Sequence, residues 1–437
     1  MTRSKSFLSI PGTVLSPVND ERCDLLQNAS VTFEKKKSTS KILSLKSSFL
    51  KNLPARDIEI VEPPAGHEWV IMPGFVDLHF HWVQDAVRLM PKASLLTWLR
   101  KYTWPYESKF SDSQFSRTQA QIFAQELLRF GTIAGACYSS LHTHTVSHAL
   151  EEFKGDFFVG NAIMTEESPE YLTHSESEAM RSIKSLEKKW GKKYALTPRF
   201  APTVSGDFLK KLGDFRKSKR LFMQTHLSET LEECDFVLDL YKKFNSFSDV
   251  KSYTEIYKRA GLLSPKSIYG HAIHLSDEEW EMLAKSRSVI AHCPTSNAPV
   301  KDLGLGSGLF DFRRAQRENV RWALGSDIGG GPFLSMLDVM ASFVKQNREA
   351  GVKGATATMA FYRATLAGAQ ILGLGRRIGS VEVGKDASLI LFKRKKSLTP
   401  LKHSDQFFQE IFKGDVRQGR GSALDVERVF LCGAKVC

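Results

Sequence analysis

The chain has 437 residues, of which 42% are hydrophobic and 25% charged, with 61 lysines and arginines against 48 aspartates and glutamates. That length suits one large domain with a smaller attachment, and the ordinary apolar and charged fractions exclude a fibrous or disordered chain. The net charge of +13 draws anions in general, but the basic runs FEKKK, KSLEKKWGKK, RKSKR and FKRKK are scattered and lack aromatics spaced as a stacking platform, so nucleic acid is disfavoured as a partner.

In chain order, MTRSKSFLSIPGTVL lacks the apolar core of a signal peptide. The stretches SFLSIPGTVL, ASVTFEKKK, KILSLKS and IEIVEPPAGHEWVIMP mix β-branched residues with turn formers and read as short strands. GSVEVGKDASLILFKR and VERVFLCGAKV, near the other end, read the same way. Residues 1–70 and 381–437 are therefore expected to join into one small β-sandwich domain. Between them, over 71–380, eight apolar runs alternate with amphipathic stretches. The runs are FVDLHFH, GTIAGACYSS, DFFVGNAIM, YALTPRF, LFMQTHLSE, SIYGHAIHL, SVIAHCPTSN and VRWALGSDIGG, each suited to a strand buried on both faces. SRTQAQIFAQELLRFG, EAMRSIKSLEKKWG, TLEECDFVLDLYKKF, SDEEWEMLAKS and SMLDVMASFVKQ carry helical periodicity. Ser276, Asp277, Glu278 and Glu279 open one helix, and Gly131 and Gly191 close two. The pattern predicts an α/β fold, a (β/α)8 TIM barrel. An open doubly wound sheet would show a glycine-rich first turn, which is missing. The six cysteines form no C-x-x-C pair and no apolar run reaches the length of a membrane span, so a cytoplasmic protein with free thiols and no membrane partner is expected.

Polar residues sit at the ends of these apolar runs. His79 and His81 end the first, Arg199 the fourth, His226 and Glu229 the fifth, His271 the sixth, His292 the seventh and Asp327 the eighth. Facing apolar packing they would be costly; at the mouth of a barrel they converge on a polar ligand. In a strand, H-x-H puts both imidazoles on one side. His79, His81, His226 and Asp327 together offer three nitrogens and a carboxylate, a set that suits one zinc ion with a position open for water; iron(II) shares these preferences. Glu229, three residues after His226, is placed to take a proton from that water, with His271 opposite and Asp327 as a further acceptor. Singly, each has a plainer reading: a hydrogen-bonded core histidine, or a helix cap at Asp327. In this order and together they favour a metal site. His142, His144 and His148 read as surface residues or as support for the site, and His274 and His292 as partners that orient ligands.

PGFVDLHFH, THLSE, YGHAIHLS, AHCPTSN, LGSDIGGG and IGSVEVGKDASLILF resemble the amidohydrolase superfamily over nearly the whole chain. LLTWLRKYTWPYESKF, TPRF, MQTHLSE, GSGLFDFRRA and SMLDVM resemble, more narrowly, its guanine deaminase branch. The resemblance implies zinc on His79, His81, His226 and Asp327, proton transfer by Glu229, and His271 beside the hydrolytic water. It further implies a purine base held by Gln84, Trp98, Arg199 and Phe200, and it is compatible with a homodimer. Arg199 has only donors to give, which suits the O6 acceptor of guanine and opposes the amino group of adenine. The expected activity is hydrolytic deamination of guanine to xanthine. Another aminated purine, a pterin or a triazine is the alternative substrate, and a non-catalytic basic binding protein is the rival class. The loop NAPVKDLGLGSG is longer than the resemblance leads one to expect.

Overall fold

A computed structural model describes residues 6–36, 39–298, 304–412 and 426–437. Lys301, at the centre of the long loop noted above, lies outside them. The chain divides into two compact units, one made of the described residues up to Val76, Gln125–Ala134 and those from Ser335 onward, the other of Asp77–Ala124 and Gly135–Leu334.

The first unit contains strands β1 (Phe7–Pro17), β2 (Cys23–Glu34), β3 (Ile42–Lys46), β4 (Ile58–Ile60) and β5 (His67–Pro73). Their β-branched and apolar residues suit strands, and β1 and β5 are buried on both faces over most of their length. They join strands from the other end of the chain in one eight-stranded sheet. The seam is antiparallel: His67–Pro73 pairs along its whole length with Leu389–Lys395. The apolar side is a cluster that includes Ile10, Val31, Phe33, Trp69, Ile71, Leu389, Leu391 and Phe430.

The eight apolar runs each supply one strand: β6 (Phe75–His81), β7 (Thr132–Ser139), β8 (Asp156–Asn161), β9 (Ala195–Leu196), β10 (Phe222–Leu227), β11 (Ser267–His271), β12 (Val289–His292) and β13 (Arg321–Leu324). They form two sheets, β6-β7-β8 and β9-β10-β11-β12-β13, in sequence order. The pairs from β9 to β13 are all parallel, the arrangement expected where a helix follows each strand. Isolated parallel bridges Val159–Tyr194 and Ile163–Pro198 link the two sheets. Of the fourth run only two residues form a regular strand, because Pro198 has no N–H to continue a ladder.

The expected helices appear at Ser113–Arg129, Glu176–Trp190, Leu231–Tyr241, Asp277–Ser286 and Met336–Glu349. Ser276 and Glu279 form a reciprocal capping box, as do Thr230 and Glu233, so each helix start just after a strand is fixed by its own first turn. Among the described residues no helix is long and apolar enough to cross a membrane.

Candidate active site

His79 and His81 are the fifth and last residues of β6, and the two-residue period turns both rings to one side. His226 is the fifth residue of β10, and Asp327 lies three residues beyond β13. His81 Nε2 stands 3.3 Å from His79 Nε2 and 3.1 Å from His226 Nε2. Asp327 Oδ1 is 3.3 Å from His79 Nε2 and 3.4 Å from His81 Nε2. His271 Nε2 is farther off, 4.0 Å from Asp327 Oδ2. His79, His226, His271 and Asp327 also offer atoms that all lie within 4.8 Å of one another, and they are the only such group of three or more possible metal ligands among the described residues.

Protonation decides what this crowding means. His226 Nδ1 donates to the Arg199 carbonyl at 2.6 Å, which leaves its Nε2 as a bare lone pair. Burial holds His226 and His81 well below the usual histidine range, so both imidazoles are neutral. Burial acts to raise Asp327, but its hydrogen bond with His79 and the neighbouring His271, His79 and His81 outweigh it and keep it a carboxylate. Crowded at 3.1–3.4 Å, the Nε2 atoms of His79, His81 and His226 and Oδ1 of Asp327 can all turn a lone pair toward one cation. Ligand atoms placed tetrahedrally at about 2.0–2.1 Å from one centre would stand about 3.3–3.4 Å apart. The donor set and its spacings therefore fit a divalent cation.

Glu229 is buried two residues beyond β10. Its Oε1 lies 3.4 Å from His271 Nδ1 and 3.5 Å from Asn297 Nδ2. Burial first, then the carboxylates of Asp327 and Glu233, push it well above the usual range, so it holds a proton more readily than a free glutamate. His271 is lowered to about 4, chiefly by burial, and is neutral at pH 7. Asn297 Nδ2 sits 3.0 Å from His271 Nδ1 and fixes the ring. Backbone strain gathers here: Ser228, His271 and Asp327 have φ of 48°, 71° and 46°, a region that side chains other than glycine rarely occupy.

A cleft opens over this group. His81, Gln84, Leu95, Trp98, Leu99, Arg199, Phe200, His226, Glu229, Glu233, His271, Leu305, Asp327 and Gly330 line it. All the residues singled out from the sequence for metal, proton transfer and ligand contact lie in this second unit, and all but His79, which lies beneath, are in the wall. The Arg199 guanidinium is buried against Glu107, 2.8 Å from Oε2. Trp98 Nε1 is buried with no hydrogen-bond partner, and Lys92 Nζ lies 5.6 Å from the ring centre.

The other histidines stand elsewhere. His144 Nε2 meets the Phe110 carbonyl at 2.8 Å, and His148 Nδ1 meets Ser116 Oγ at 3.0 Å, so this cluster ties a helix to the Phe110–Ser116 segment. His274 Nε2 bonds the Ser307 carbonyl at 2.9 Å, and His292 stacks on Phe310 with ring centres 4.6 Å apart. Sequence reasoning passed over Tyr138, Glu107, Glu233 and Asn297. The Tyr138 ring stacks on His81 at 4.4 Å. Glu233 accepts from the backbone N–H of Glu229 at 2.8 Å. AHCPTSN contained the signal for Asn297; the others carry none in their neighbours.

Comparison with known proteins places these features in company. Residues 70–419 match the amidohydrolase family. The guanine deaminase of Escherichia coli (strain K12) is 33% identical over 340 residues, 76% of this chain and 74% of that one. The guanine deaminase of Dictyostelium discoideum is 31% identical over 414 residues, 88% of each. A crystal structure of guanine deaminase from C. acetobutylicum with bound guanine in the active site superposes with a TM-score of 0.82 at 26% identity, covering 99% of this chain and 100% of that one.

Proposed function

The chain belongs to the amidohydrolase family, and on that premise we propose that it hydrolyses guanine to xanthine and ammonia. The reading takes the eight strands as a closed, all-parallel (β/α)8 barrel and the shared sheet of the two chain ends as a β-sandwich attachment. One observation carries it: the three imidazoles and the Asp327 carboxylate meet beside Glu229, under a cleft that also holds Arg199, Gln84, Trp98 and Phe200.

His79, His81, His226 and Asp327 would hold one zinc ion per chain. His81 is preferred to His271 as a ligand because its Nε2 has three neighbours in the group at 3.1–3.4 Å, while His271 Nε2 stands 4.0 Å from Asp327 Oδ2. Such an ion lowers the pKa of water to about 7 and so makes a nucleophile available at neutral pH. Glu229 takes the proton from the attacking water and passes it to N3 of the purine, while the water oxygen adds to C2. His271 hydrogen-bonds that oxygen; Glu229 then carries the remaining O–H proton to the amino nitrogen, the C2–N bond breaks, and C2=O of xanthine forms as ammonia leaves. Arg199 donates to O6, Gln84 pairs along the ring edge, and Phe200 and Trp98 pack against the ring faces. None of the six cysteines forms a disulfide, in keeping with a reducing compartment such as the cytoplasm.

The test is guanine turnover followed by ultraviolet spectra and ammonia release, with Glu229→Gln as control. Wild-type protein loaded with metal is expected to yield xanthine. The variant is expected to lose about 10²- to 10⁴-fold in kcat while keeping its metal. No turnover by metal-loaded wild-type protein, or full activity in the variant, contradicts the reading.

A further inference from the structure

Glu107 ends the short helix Trp104–Glu107 and is completely buried. It does not line the cleft; it stands behind two residues that do. Its carboxylate accepts from Arg199 Nη1 at 3.0 Å on Oε1 and 2.8 Å on Oε2, and from Gln84 Nε2 at 2.7 Å on Oε1. The turn before this helix, Leu99–Thr103, is π-helical, a geometry that recurs at functional sites.

Gln84 Nε2 also lies 3.2 Å from His81 Nδ1. With the Nε2 lone pair of His81 aimed at the ligand group, its Nδ1 carries the ring proton and is a donor. Left to that neighbour alone, Gln84 would turn its amide oxygen toward His81. Glu107 prevents this, because an amide oxygen turned that way would meet the carboxylate with no proton between them. We infer that Glu107 is a positioning residue for substrate selection: it holds Gln84 so that the amide oxygen is left for the cleft, and it occupies Arg199 Nη1 so that the remaining guanidinium donors are left beside it. The inference rests on the cleft being a guanine site.

The chemistry selected follows directly. A lactam edge, with N1–H beside C6=O, matches an acceptor next to donors. An amidine edge, with a bare ring nitrogen beside an amino group, sets lone pair against lone pair and donor against donor. Glu107 thus sets the preference for a 6-oxo over a 6-amino group in a 2-aminopurine. A site built on such hydrogen bonds rejects the mismatched analogue because buried polar groups are left unpaired.

The test measures kcat/KM for guanine and for 2,6-diaminopurine, which has the same 2-amino leaving group and the reversed edge. It uses metal-loaded wild-type, Glu107→Gln, Glu107→Asp and Gln84→Met proteins. In Glu107→Gln the amide is free to turn to His81, and the guanine-to-diaminopurine ratio is expected to fall about 10- to 100-fold, mainly through KM for guanine. Glu107→Asp restores part of the ratio, and Gln84→Met lowers it to a similar degree. An unchanged ratio in Glu107→Gln, with both substrates slowed equally, overturns the inference. An unchanged ratio in Gln84→Met overturns it too, and that variant decides the matter if the Glu107 variants do not fold. Absence of guanine turnover in the wild-type protein instead defeats the proposed function itself.

Discussion

Glu229 and Glu233 are both buried carboxylates on one side of the cleft, yet they are engaged differently. Glu233 accepts from the backbone N–H of Glu229 and from Tyr253 Oη at 3.2 Å, so its oxygens belong to the fold. Glu229 keeps only long contacts to His271 and Asn297, so its oxygens are open to chemistry. Burial pushes Glu233 from 4.5 to about 7, ahead of the opposing hydrogen bonds from Glu229, Thr230 and Tyr253. A carboxyl whose folded pKa is raised stabilises the fold in its neutral form. That contribution is complete below about 4.5 and is lost as pH rises through about 7. Relative to Glu233→Gln, the wild-type protein should therefore lose roughly 3 kcal/mol between pH 4.5 and pH 8. Melting midpoints of the two proteins across that range check this, and a constant difference between them contradicts it. Glu229 was legible because it follows a strand histidine by three residues. Glu107 was not, because its partners Gln84 and Arg199 are 23 and 92 residues away and nothing in WPYES announces them.

At the level of elements, the strands bring their ends close to His79 by leaving out side chains. A Cβ on Gly270 of β11 would stand 2.5 Å from His79 Cε1, and one on Gly325, just past β13, 2.8 Å from His79 Cβ. Neither glycine has a positive φ, so the requirement is space. Gly270→Ala should push the His79 ring out of place, with overpacking that costs about 1–3 kcal/mol. The expected result is a folded protein with weaker metal retention on dialysis; full retention with unchanged turnover would contradict it. The strand order and most helices were readable from the alternation of apolar runs with amphipathic stretches and from caps such as Ser276. The length of β9 was not, since YALTPRF is apolar enough for a longer strand and only the proline stops it. The left-handed backbone of Ser228 was also hidden, because serine seldom adopts it, whereas histidine and aspartate, as at His271 and Asp327, do so more often.

Across the whole molecule, similarity in composition between the two ends anticipated their union. The register of β5 (His67–Pro73) against Leu389–Lys395 could not be read, because it pairs residues more than 300 positions apart through backbone hydrogen bonds that any sequence can make. Within the second unit a long-range contact likewise holds Asp327 at His79, with the Asp327 N–H donating to the His79 carbonyl at 2.8 Å. The proposed function requires that these three imidazoles and the carboxylate form one site for a single ion. The most direct test is to strip the protein with a chelator and return zinc in steps, reading guanine turnover at each. Turnover should be absent without metal, rise linearly and break at one ion per chain. Full turnover in stripped protein, or none at one bound ion per chain, would contradict it.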